Sequence, residues 1–354
     1  RMSIFITILI FLAILAVVIL VHELGHFITA KLSKVKVEEL GLGYPPRLFG
    51  IKRRETIYSL NLIPLGGFCR MAGEEDPSVP GSLAGKSRWV RLLVLSAGCI
   101  MMLLLPLFLF PIAYMIPMER PVEEGTIKVV AVAQGSPAEL AGIETGDVIL
   151  TIDGQDVRSL DEVHQAIEAK LGSEVSMLLL RDSTEFEVTL IPREEEETPQ
   201  GQGPVGVELK VIESRAYPPW EAIAKGCGEY WEMLVRMKNA IASIIHGEEE
   251  LEIAGPIGIA QITSDVAKRG AYPLIWFTGL LSVNLAIINL LPIPALDGGR
   301  IAFLFLEVLR RGRRISPRTE GLINTIGFTL IILLILVVSY YDILRIVQGE
   351  SFLP

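Results

Sequence analysis

Leu15-Ala16-Val17-Val18-Ile19-Leu20-Val21-His22-Glu23-Leu24-Gly25-His26 sets three ionisable side chains at the end of a run that is otherwise uncharged back to Met2. A helix crosses a bilayer with about 20 apolar residues at about 1.5 Å rise each, and the run 2–25 is long enough. Three more uncharged runs of that length follow, at 92–118, 270–296 and 321–341. The 354 residues are 51% hydrophobic and 21% charged, with a mean hydropathy of +0.48, which is too apolar for a soluble domain of this size. Fully soluble, disordered and fibrous readings are excluded, and four spans leave room for one folded insert between the second and the third. Arg1 ahead of Met2 reads as a cloning remnant. The first run reads as a retained span, because its apolar core is longer than a signal peptide's and no small-x-small cleavage site precedes Lys31.

Ionisable groups inside a membrane span are costly to bury and by default mark function, with partners elsewhere in the bundle. His22 and His26 stand one helical turn apart on one face, so both rings can reach one tetrahedral metal. Glu23 projects beside them and can accept a proton from a water activated by that metal, the arrangement of a zinc metalloprotease helix. A chance match is the bland alternative, and the apolar surroundings weigh against it. A catalytic site needs a third protein ligand and an open fourth position. His164 and His246 fall in an acidic segment far from this depth. Asp297 is the better candidate, in Asn289-Leu290-Leu291-Pro292-Ile293-Pro294-Ala295-Leu296-Asp297-Gly298-Gly299. Two prolines and two glycines there should break the third span near membrane depth, and broken helices survive there only when buried in protein or lining a cavity. Taken alone, Asp297 also reads as a helix N-cap.

The net charge of −9 is unevenly spread. Residues 119–271 hold 13 Lys and Arg against 29 Asp and Glu, a net of −16, and the rest of the chain carries +7. Basic residues concentrate at 31–91 and 300–318, so by the positive-inside rule these segments face the cytoplasm and the acidic middle lies outside, with both termini out. His22 then sits roughly 10–13 Å below the cytoplasmic surface. The acidic insert would repel phosphate, so no nucleic-acid role is expected. Cys69, Cys99 and Cys227 fall in three different compartments and predict no disulfide.

The His-Glu-Leu-Gly-His helix and the Asn-x-x-Pro-x-Pro-x-x-Asp-Gly segment, in this order and topology, resemble the two signature motifs of the site-2 protease family of intramembrane zinc metalloproteases. The single acidic insert resembles the bacterial RseP/RasP type. The resemblance covers nearly the whole chain. It implies that His22, His26 and Asp297 bind zinc, that Glu23 is the catalytic acid/base, and that Asn289 helps hold substrate. It also implies a multi-pass protein of the bacterial cytoplasmic (inner) membrane, in contact with lipid, cutting single-pass membrane proteins such as anti-sigma factors or remnant signal peptides.

The expected fold class is a multi-pass α-helical membrane protein with four transmembrane helices, a reentrant β-hairpin and an inserted α+β PDZ-like extracytoplasmic domain. Residues 1–118 hold the first two spans and the hairpin, 119–193 the PDZ-like domain, 194–269 a linker, a further strand and interfacial helices, and 270–354 the last two spans. The hairpin is expected from a strand at 57–63, a turn at Pro64-Leu65-Gly66-Gly67, and basic flanks that keep both ends on one side. Its exposed edge, at Leu60, Asn61 and Leu62, reads equally as a strand for an extended substrate to pair with or as part of a hairpin that packs only on the bundle. In the insert, strands are expected at 125–132, 147–153, 174–181, 185–192 and 204–212, with helices after Ser136-Pro137 and after Ser159. The pieces Gly-Ser-Pro-Ala, Ala-Gly-Ile-x-x-Gly-Asp-Val-Ile and Ile-Asp-Gly resemble a bacterial protease PDZ domain. Its carboxylate-binding loop would be Glu123-Glu124-Gly125-Thr126, whose acidic side chains repel a peptide C-terminus, so the resemblance points to gating of substrate access instead. The segment 194–203 reads as a solvated linker. Tyr217, Trp220, Tyr230 and Trp231 read as outer-interface residues. The rival function is a membrane-anchored PDZ scaffold with a structural or vestigial metal, which would have no need of Glu23.

Overall fold

The computed structural model describes residues 4–194, 196, 198, 199, 201–247 and 254–348, and among these not the side chains at 4, 65, 118–123, 213, 214 and 245. In chain order the elements are α1 (Ile4–Leu32), β1 (Val37–Arg53), β2 (Thr56–Met71), α2 (Arg88–Leu104), α3 (Pro106–Tyr114), β3 (Met118–Val132), α4 (Pro137–Leu140), β4 (Val148–Ile152), β5 (Gln155–Asp156), α5 (Leu160–Glu168), β6 (Val175–Arg181), β7 (Thr184–Leu190), β8 (Val207–Arg215), α6 (Pro219–His246), α7 (Pro256–Lys268), α8 (Ala271–Leu290), α9 (Asp297–Leu309) and α10 (Pro317–Gln348). Two compact units result: residues 1–115 with 218–354, and residues 116–217.

Four helices of the first unit are long and apolar enough to cross a membrane: Phe5–Leu32, Arg88–Tyr114, Ala271–Leu290 and Pro317–Gln348. The second starts where the Ser87 hydroxyl accepts from the Val90 N–H. It is interrupted at Leu105, because Pro106 has no N–H to continue the ladder and opens α3 instead. Buried residues at its helical spacing, including Val94, Gly98 and Met102, face the bundle. In α10 only Gly327 and Asp342 are buried, and the apolar side chains point outward, as on a helix solvated by lipid. Asp342 accepts from the Gly255 and Gly258 N–H groups at 3.1 and 2.8 Å, which ties α10 to the start of α7. α6 packs on α3 through Met233, Tyr230 and Phe110, while Trp220 and Trp231 stay exposed.

The hairpin differs from the sequence expectation at its turn. β1 and β2 pair antiparallel and meet at Arg54-Glu55, with Arg54 at φ 56°, rather than at Pro64-Leu65-Gly66-Gly67. The charged tip, residues 52–55, is exposed, and Pro64 to Gly67 instead bend β2 so that it pairs twice. Glu39 stands opposite both Arg70 and Ile57, and Leu42 opposite both Gly67 and Leu60. Residues 39–42 are therefore flanked on both sides, and 67–71 form an outer run. Val35, Val37, Leu40, Cys69 and Met71 pack with Ala30 of α1 and Val94 and Leu95 of α2, so burial fixes this sheet against the helices.

In the second unit the sheet order is β7-β6-β4-β3-β8, with β5 on β4, around a core of Ile127, Val129, Ile149, Ile152, Val175, Met177 and Leu179. The further strand expected beyond the linker, β8, pairs with β3 and so belongs to this sheet. Of the linker itself, positions 195, 197 and 200 lie outside the described residues. Ser159 and Glu162 close a capping box on α5, and Ser136 caps α4. The loop expected at 123–126 is instead part of β3. Pro121 and Thr126 both stand opposite Ile212, so 122–125 bulge from the ladder, and the Gly125 N–H donates to the Arg158 carbonyl at 2.8 Å. The side chain of Glu123 lies outside the described residues. Buried Asp147 takes two hydrogen bonds from the Arg181 guanidinium at 2.7 Å each. Burial alone would push this carboxyl up, but Arg181 and the Glu144 N–H outweigh it and hold the group below the usual carboxylate range.

Candidate metal centre

The site begins with α1, which turns His22 and His26 to one side with their Nε2 atoms 3.2 Å apart. Asp297 Oδ2 closes the figure, 3.2 Å from His22 Nε2 and 3.1 Å from His26 Nε2. Three donor atoms on a nearly equilateral triangle are what one zinc demands, since tetrahedral bonds of about 2.0–2.1 Å place ligand atoms about 3.3 Å from one another. The other ring nitrogens are engaged elsewhere. His26 Nδ1 donates to the Val94 carbonyl at 2.7 Å, and His22 Nδ1 lies 3.1 Å from Met102 Sδ. Protonation at Nδ1 leaves each Nε2 lone pair for a metal, and such partners orient metal-binding imidazoles.

α2 reaches the rings because residue 98 is glycine. A Cβ there would stand 2.4 Å from His26 Nε2 and 2.6 Å from His22 Cε1. Asp297 arrives by a second close approach. α8 stops at Leu290, the prolines turn the chain, Ala295 adopts φ 75° and its N–H donates to Asn324 Oδ1 at 3.2 Å. A Cβ at Gly298 would lie 2.2 Å from the Leu290 and Leu291 carbonyl oxygens, so only glycine permits this fold-back. The N-cap of α9 is Leu296, and Asp297 is its first helical residue. The Asp297 carboxylate meets the two histidines rather than capping the helix.

A cavity of about 650 Å³ opens on the triangle, lined by His22, Glu23, His26, Asn289, Asp297 and Arg300 on the helices and by Tyr44 and residues 66–71 of the sheet. Glu23 makes none of the contacts of the donor triangle, and a Cβ at Gly67 would come 3.1 Å from Glu23 Cγ, so the outer run of the sheet passes beside this side chain. Arg300 is tied to Glu74 at 2.7 Å. Leu60, Asn61 and Leu62 are not among the lining residues. The strand that carries them is the inner one, paired on both sides at Leu60, and the Asn61 amide donates to the Gly43 carbonyl at 3.0 Å. The place expected of them is taken by Gly66 to Met71. His164 and His246 are exposed and stand elsewhere. Sequence reasoning missed Gly98, Cys99 and Met102, whose shared face of α2 was legible but whose partner helix was not.

The fold and site define a metallopeptidase whose donor triangle lies among membrane-spanning helices. The model of peptidase family M50 matches residues 10–334. A Clostridium perfringens protein is 37% identical over 329 residues, covering 92% of this chain and 95% of its own length. Zinc metalloprotease RasP of Shouchella clausii is 30% identical over 96% of this chain and 99% of its own. Regulator of sigma-W protease RasP of Bacillus subtilis is 26% identical over the same shares. Among solved structures, the PDZ domain of an SdrC-like protein of Listeria monocytogenes is similar at 22% identity, over 25% of this chain and 92% of its own, with a TM-score of 0.21. The chain belongs to peptidase family M50, the site-2 proteases, and zinc is its expected cofactor.

Proposed function

We propose that His22, His26 and Asp297 hold the zinc, that Glu23 is the catalytic acid/base, and that the substrate is a transmembrane segment of another membrane protein, cut near the cytoplasmic face. The observation that carries this reading is the donor triangle with Glu23 beside it, on one cavity with an outer strand run. When bound, zinc supplies Lewis-acid polarisation of the scissile carbonyl and lowers the pKa of water. Glu23 takes the attacking water's proton and returns it to the leaving nitrogen. A helical substrate hides its peptide bonds, so it must unwind first, and residues 66–71 offer backbone groups for strand addition while Asn289 holds the strand across the site. A sheet that enters and leaves on the basic side is a membrane-reentrant element in this reading.

Incubated with a transmembrane peptide in detergent, the zinc-loaded protein should cut within the apolar segment, on its cytoplasmic half, and a chelator should stop it. Products cut only in the polar flanks would refute an intramembrane protease. The charge asymmetry supports a cytoplasmic-membrane location with the second unit outside. A cysteine at Ser183 should then react with an impermeant thiol reagent added to cells, and one at Arg53 should not. The reverse pattern would overturn the orientation. The second unit, PDZ-like and tied at both ends to membrane helices, acts in this proposal as a size filter that excludes substrates with bulky external domains. Anti-sigma factors and remnant signal peptides meet that description, and the relative from Bacillus subtilis is named as a regulator of sigma-W.

A further inference from the structure

The outer strand run has a fixed end. Residues 67–71 pair with β1 on one side, and among the described residues no strand pairs with their other edge. The Met71 N–H, the last of the run, donates to Glu74 Oε1 at 2.9 Å, so that donor is taken. The other oxygen of the same carboxylate, Oε2, accepts from Arg300 Nη1 at 2.7 Å. Arg300 stands one turn past Asp297 on α9, so one carboxylate joins the end of the strand to the helix whose first residue reaches the two histidines. Its mounting is tight. Gly73 adopts φ 50°, where a Cβ would lie 2.5 Å from the Asp76 carbonyl oxygen, and the Ala72 and Leu83 N–H groups donate to the Lys36 and Ala72 carbonyls at 2.8 and 3.0 Å. Both Glu74 and Arg300 line the cavity. Their side chains are 23% and 36% exposed, and a pair that open to water adds little to the stability of a fold.

We propose that Glu74, held by Arg300, is the register stop of the substrate strand and so decides which peptide bond reaches the metal centre. This rests on the reading of residues 66–71 as the strand that pairs with substrate. Side chains alternate between the two faces of a strand, so registers that keep the same side chains on the same face differ by two residues. Backbone pairing alone therefore leaves a slip of two open. A substrate carbonyl that slides to Met71 finds the donor taken and a carboxylate in front of it, and the ladder ends there. The tie to α9 holds that end at a constant distance from Asp297. Glu74 and Arg300 are specificity-determining in this proposal, and the proton transfers stay with Glu23.

The masses of the products cut from a transmembrane peptide by the zinc-loaded full chain in detergent read the register. Wild type is expected to cut at one bond, and so is Glu74→Gln, which keeps an oxygen for the Met71 N–H. Glu74→Ala and Arg300→Met should add cuts displaced by two residues while zinc content is unchanged. Slower cleavage at an unchanged bond in both would make the pair a brace for its loop and overturn the proposal. Several cuts by the wild type would overturn it as well. If the variants do not fold, crosslinking to the wild type decides. A photoreactive residue walked along the peptide should attach to Glu74 or Arg300 from one position only, and attachment from several positions or from none would overturn the register stop. A wild-type chain that loads zinc and cuts no transmembrane peptide would overturn the proposed function and this proposal with it.

Discussion

Glu23→Gln is expected to load one zinc per chain and to leave a transmembrane peptide uncut, with turnover lower by about 10³-fold or more. Glu23 lines the cavity and makes none of the three contacts of the donor triangle, so the amide should remove a proton acceptor without removing a ligand. Positioned general bases contribute about 10²–10⁴-fold, and in the proposed mechanism one group both accepts the proton from water and delivers it to the leaving nitrogen. Zinc content by elemental analysis and peptide cleavage by mass spectrometry, on the same preparation, check the two halves. A zinc-loaded variant that still cuts at the wild-type rate would remove Glu23 from the chemistry. Loss of zinc would make it a ligand instead.

Gly98→Ala should weaken zinc binding strongly although it adds only one methyl group and removes no ligand. That methyl would start 2.4 Å from His26 Nε2, the nitrogen that faces Asp297, and helices packed this closely do not yield by an ångström without cost. The rings must tilt, the triangle opens, and zinc affinity is expected to fall by about 100-fold, as when the support of a ligand is lost. Gly228→Ala on α6 is the control, since a Cβ there meets nothing within 4 Å. Competition with a chromophoric chelator measures both. Wild-type affinity in Gly98→Ala would show that α2 does not shape the site.

What was legible in the sequence was what helices encode within a turn or two. The four spans follow from runs of uncharged residues. The pairing of His22 with His26 follows from their spacing of four, and the break before Asp297 from Pro292, Pro294, Gly298 and Gly299. Even the caps at Ser136 and Ser159 and the tight turns at Asp153-Gly154 and Asp182-Ser183 are local chemistry, and the structure has each of them. The hairpin is the counterexample. Pro64-Leu65-Gly66-Gly67 has the composition of a turn, yet the turn lies at Arg54-Glu55, because the charged residues claim the exposed tip and the glycines serve a bend deeper in β2.

The sequence by itself determined a membrane protein with a helix that carries two histidines one turn apart and with a broken span, since those features depend on residues that are neighbours along the chain. The tertiary structure alone decided that Asp297 meets His26 across 271 positions, that Gly66 to Met71 rather than Leu60 to Leu62 line the cavity, and that Cys99 lies beside the Asp297 carboxylate. Each of these depends on which helix or strand lies beside which, and that choice is made by burial and close packing summed over the whole bundle, which no local pattern of residues records.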